Sequence, residues 1–90
     1  MSAKAEISWK TRTPEGERRE VYVHHVGAEW RFYQRQRRFD PWQPLPNPAL
    51  EDWLVLLDAV ERRIQRRLLR PDDAAQVRRT IRERFPEAGV

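Results

Sequence analysis

The chain has 90 residues, of which 36% are charged, with 18 Lys and Arg against 14 Asp and Glu, and it contains no Cys. That is the size of one domain, and it excludes a disulfide scaffold and any thiol chemistry. A chain this short must build a compact core from few residues, and its four Trp, three Phe and two Tyr suit that need.

The first residues, Met1 to Glu6, are not followed by an apolar stretch, so no signal peptide is expected. Together with the missing Cys, this points to a reducing, cytoplasmic setting. From Glu6 to Arg12 the residues alternate, with Ile7, Trp9 and Thr11 on one face. Arg19 to Val26 and Glu29 to Arg38 continue the pattern, rich in β-branched and aromatic side chains.

Turn chemistry sets the register of these three strands. Thr13-Pro14-Glu15-Gly16-Glu17 fits a three-residue hairpin loop, with Gly16 in the left-handed position. That loop pairs Trp9 with Val21 and Ile7 with Val23. Gly27-Ala28 fits a two-residue type II′ turn and pairs His25 with Trp30 and Val23 with Phe32. Both registers put Ile7, Trp9, Val21, Val23, His25, Trp30 and Phe32 on a single face. A slip of one residue in either hairpin would scatter them.

Residues 40–48 hold four prolines, which excludes a helix or a central strand. The segment reads as an extended connector, with Trp42 and Leu45 pinning it to the core. Asn47 followed by Pro48 signals a helix start, and an apolar stripe of Leu50, Trp53, Leu54, Leu57, Val60, Ile64 and Leu68 carries the helix to about Arg70. Pro71 stops it, and Asp72 or Asp73 caps a second helix to residue 85, with Ala74, Val77, Ile81 and Phe85 as its apolar face. The expectation is an α+β domain of order β-β-β-α-α: a three-stranded antiparallel meander packed on a long helix, followed by a shorter one. The longest apolar run, Trp53 to Leu57, is far too short to cross a bilayer, so no membrane role is expected.

Catalytic and metal signatures are missing from the sequence. Besides tyrosine, its hydroxyls are Ser2, Ser8, Thr11, Thr13 and Thr80, none in a nucleophile motif, and three scattered glycines cannot form a phosphate-cradling loop. His24 and His25 are strand neighbours pointing to opposite faces, so they cannot share one ion. A binding module without metal or cofactor is the expectation, rather than an enzyme.

Two surfaces could do the binding. On the solvated sheet face, Lys10, Arg12, Arg31 and Arg35 surround Tyr22 and Tyr33, which combines charge for phosphates with rings for bases. An ordinary solvated sheet with Glu20 and Glu29 paired to the arginines has the same composition. On the first helix, Arg62, Arg63, Arg66, Arg67 and Arg70 would form one cationic arc fit for nucleic acid or an acidic protein surface. A basic C-terminal end also simply complements the helix dipole. The sequence pI near 10.3 permits nucleic acid without demanding it. The alternative is protein interaction or homodimerisation through Val55, Leu56 and Leu69, which lie off the main stripe, or through Trp42.

Overall fold

In the computed structural model, which describes residues 6–90, an antiparallel sheet is followed by two helices. Residues 1–5, on which the expectation of no leader rests, lie outside the described residues. The chain divides into two compact units, Met1–Asn47 and Pro48–Val90.

The first unit is the sheet, with β1 Glu6–Arg12, β2 Arg18–Val26, β3 Glu29–Arg35 and β4 Gln43–Pro44 in sequential order. Both hairpins take the register that their turn residues dictate: Trp9 faces Val21, Ile7 faces Val23, Val23 faces Phe32 and His25 faces Trp30. In the first loop, Gly16 donates its N–H to Thr13 O at 2.8 Å, and Thr13 donates to Glu17 O at 2.9 Å. Gly16 sits at φ +86°, where a Cβ would be strained, so the loop needs glycine there. Gly27 at φ +59°, followed by an Ala28 outside the positive-φ region, is the pattern of a type II′ turn.

One face of the sheet is apolar. Ile7, Val21, Val23, Trp30 and Phe32 are buried, Trp9 meets Phe32 edge-on at 6.4 Å, and His25 stacks flat on Trp30 at 3.8 Å. Each fully buried aliphatic or aromatic side chain here is worth about 1.5–3 kcal/mol against its exposed state. The face ends in polar residues, where Arg19 Nε donates to Gln34 Oε1 at 2.9 Å.

Two boundaries in this unit depart from the sequence reading. β3 stops at Arg35 rather than continuing to Arg38, because residues 37–40 fold into a turn. The proline-rich connector contributes a fourth strand, pairing Tyr33 with Pro44 and Gln34 with Gln43. Pro44 has no N–H to give, which confines it to an edge strand, and β4 lies at the edge.

The second unit is a helical hairpin of α1 Leu50–Gln65 and α2 Pro71–Arg84, closed by a 3₁₀ turn at Pro86–Ala88. Trp53, Leu56, Leu57 and Val60 of α1 are buried, as are Ala74, Val77 and Ile81 of α2. Arg78 pairs with Glu61, and the Arg84 guanidinium lies 5.5 Å over the Trp53 ring, so the helices run antiparallel. α1 begins at Leu50 with Ala49 as N-cap, two residues later than the Asn47-Pro48 signal implies.

The C-terminal end of α1 is the larger departure. The helix stops at Gln65, not Arg70, although the apolar period continues to Leu68. Arg67 N–H donates to Ile64 O at 2.9 Å and Leu68 N–H to Arg63 O at 2.8 Å, the double closure of a Schellman turn. Arg67 occupies the left-handed position, φ +61°, that glycine usually fills. Pro71 then opens α2 instead of ending α1, and the Asp73 carboxylate accepts the Arg70 N–H at 2.9 Å, closing half of a capping box.

Candidate functional site

The solvated face of the sheet is built in cross-strand rows fixed by the register. Glu6, His24 and Arg31 form one row; Ser8, Tyr22, Tyr33 and Pro44 the next; Lys10, Glu20 and Arg35 the third; Arg12 and Arg18 the last. Trp42 lies just beyond the last β3–β4 pair and packs on this same face.

Tyr22 is the centre of an aromatic cluster. Its ring centroid is 5.4 Å from Trp42, 5.7 Å from Tyr33 and 6.3 Å from His24, all at tilted angles. All four residues are half-buried, so the rings are supported from below yet reachable from solvent. The Tyr22 hydroxyl donates to Glu6 Oε2 at 3.0 Å and lies 3.4 Å from His24 Nδ1. Its pKa is raised above the ordinary 10.0, first by burial, then by the hydrogen bond and negative charge of Glu6, with a further push from Tyr33.

Of the four cations expected on this face, Arg31 and Arg35 are already ion-paired. Arg35 lies 4.1 Å over the Trp42 ring, and its Nε and Nη2 each sit 3.0 Å from Glu20 Oε1. Arg31 pairs with Glu29 at 3.1 Å, both side chains exposed. Arg12 donates from Nη1 to Gly16 O at 2.9 Å, a bond to the loop that leaves its charge uncompensated. Lys10 is exposed.

At the β1–β2 end Arg12 stands directly opposite Arg18. Like charges facing each other across a ladder are unfavourable by themselves. An open groove of about 490 Å³ runs there along Lys10, Thr11, Arg12, Arg18, Arg19 and Glu20. Such a groove suits an anion whose charge relieves that repulsion.

Trp42 is a correction to the sequence reading. It does not pin the connector to the apolar core but caps the opposite face, against Tyr22 and Arg35. Its spacing of two from Pro44 places both on one side of an extended strand, a signal that the prolines obscured. The five-arginine helical arc is a second correction. Only Arg62 and Arg63 lie in α1; Arg66 caps it, Arg67 turns left-handed and Arg70 precedes α2. Arg62 pairs with Asp58 at 3.0 Å, one turn away.

The residues expected off the main stripe, Val55, Leu56 and Leu69, also sort differently, and Leu69 lies beyond the end of α1. Leu56 is fully buried, so it is core and not a docking residue. The buried stripe is rotated toward positions 53, 56, 57 and 60, which leaves Leu54 and Val55 at 39% and 43% exposure and Leu69 half-buried.

Phe39, in the turn between β3 and β4, was not legible as a site residue. It is 92% exposed, with Arg37 and Arg38 beside it. Among the described residues no group of three His, Asp or Glu side chains gathers to hold a metal ion, and no helix is long and apolar enough to cross a membrane. In comparisons with known proteins, no family model, no curated protein and no solved structure matches this chain.

Proposed function

We propose that the protein is a non-enzymatic binding module that takes single-stranded nucleic acid on the solvated face of its sheet. The observation that carries this reading is the contiguous set of Tyr22, Tyr33 and Trp42 rings across β2, β3 and the segment leading into β4, half-open to solvent. Base stacking on such rings is tolerant of sequence and contributes about 1–3 kcal/mol per base. Lys10, Arg12 and Arg18 at the β1–β2 end contact phosphates. Arg35 acts mainly as a brace that holds Trp42 in place, since its charge is matched by Glu20. Tilted rings already in mutual contact leave room for few bases, so the bound segment is short. A cytoplasmic location goes with this reading.

A second reading rests on a different observation. Leu54 and Val55 are adjacent exposed apolar residues on α1, and they would serve a protein partner or a second copy of the chain.

The test is fluorescence anisotropy of a labelled single-stranded oligonucleotide titrated with the wild type and with Tyr33→Ala. The expected result is binding by the wild type, weakened at least fivefold in the variant. Binding equal in both would remove the aromatic face from the account, and an absence of binding would favour the Leu54–Val55 surface.

A further inference from the structure

The β3–β4 turn holds the most exposed large apolar side chain among those of the described residues. Phe39 is 92% exposed, whereas the other exposed large hydrophobics lie between 38% and 43%. A single exposed apolar residue is ordinary in itself. This one sits at the tip of a closed turn with its backbone fixed. Asp40 N–H donates to Arg37 O at 3.0 Å, and the Asp40 carboxylate accepts the Arg37 N–H at 3.1 Å. The turn thus presents Arg38 and Phe39 as its two central residues, and the Arg38 guanidinium lies 5.8 Å over the Phe39 ring. The turn is also joined to the aromatic face, because Arg35 Nη1 donates to Asp40 O at 3.4 Å while the same guanidinium covers Trp42.

We infer that the Arg37–Asp40 turn is a second contact for single-stranded nucleic acid, in which Phe39 stacks on one base beyond those on the Tyr22–Tyr33–Trp42 face and Arg37 and Arg38 hold the flanking phosphates. This inference rests on the reading of the sheet face as a nucleic-acid surface. The chemistry of the turn favours that occupant. In the chain Phe39 is flanked by Arg37 and Arg38 on one side and by Asp40 and Pro41 on the other. One phenyl ring with a carboxylate beside it offers too little apolar area to anchor in a lipid surface. A base needs only one ring face and nearby positive charge. The preformed turn reduces the ordering cost on binding.

The experiment titrates wild type, Phe39→Ala, Phe39→Leu and Tyr33→Ala with labelled oligothymidylates of several lengths. Because Phe39 is almost wholly exposed, its replacement leaves the fold intact, which circular dichroism checks. The expected result is a loss of about fivefold or more in Phe39→Ala, little recovery in Phe39→Leu, and a loss that vanishes for oligonucleotides too short to reach the turn. If Tyr33→Ala weakens binding and Phe39→Ala does not, the inference is overturned while the sheet-face reading stands. Full recovery in Phe39→Leu overturns stacking as the role of Phe39. If the wild type binds no oligonucleotide, the reading beneath the inference fails, and the inference with it.

Discussion

Replacing Arg35 by Ala is the change expected to damage the sheet unit most at its solvated face. Three contacts converge on this guanidinium: the Glu20 carboxylate at 3.0 Å, the Trp42 ring at 4.1 Å and Asp40 O at 3.4 Å. The ion pair is not an ordinary surface pair, because the Arg35 and Glu20 side chains are only 19% and 17% exposed. Hydrogen bonds to charged groups contribute about 1.5–3 kcal/mol, and a cation over an aromatic ring about 0.5–1 kcal/mol. Residual solvent access discounts the first figure, and the two are not additive, so a net loss of about 2 kcal/mol is expected. For a chain of this size, that corresponds to a fall in Tm of about 8–16 °C. The assay is thermal and urea unfolding followed by circular dichroism and tryptophan fluorescence. Glu20→Ala and the double variant complete a cycle, in which the coupling should exceed about 1 kcal/mol. A loss below about 0.5 kcal/mol in Arg35→Ala, or additive single variants, would refute the view that Arg35 braces this face.

Two further predictions concern the α1 end and the central tyrosine. Arg67→Gly should raise stability by about 0.5–1 kcal/mol, read as a higher urea midpoint, because φ +61° is strained for any residue with a Cβ. A lower midpoint would mean that the Arg67 side chain contributes more than its backbone strain costs. With its pKa raised, Tyr22 keeps its proton in the folded chain at pH values where the unfolded chain has lost it. Stability from this group is therefore complete below pH 10.0 and falls as pH rises through the folded pKa. An absorbance titration should show one tyrosine ionising late, and Tyr22→Phe should remove that step; an unchanged late step would assign it elsewhere.

How much of this was legible in the sequence differs between the two units. The hairpins were readable because two independent signals agreed. Gly16 and Gly27 each dictate a turn, and both turns place the same apolar residues on one side. The helical unit was less readable, since α1 ends by a backbone turn at Arg67 with no glycine to mark it. The apolar period running on to Leu68 implies a longer helix, and with it an arginine arc that the turn breaks. Leu56 is core although the sequence sets it off the stripe. Of the expected stripe, Trp53, Leu57 and Val60 are buried, but Leu56 joins them while Leu54 and Leu68 turn outward. On the sheet face, Tyr22 and Tyr33 followed from alternation alone. Trp42 did not, because a two-residue strand amid prolines has too little periodicity to be read.

The most direct test of the central claim is the oligonucleotide titration of the wild type, carried out near 50 mM and near 200 mM salt. For an oligonucleotide too short to reach the Arg37–Asp40 turn, with Lys10, Arg12 and Arg18 each neutralising one phosphate, the salt slope is about −2, a loss of roughly 15- to 20-fold over that range. The account predicts binding with that dependence and a preference for single over double strands. Anisotropy that stays flat at the lower salt would contradict it.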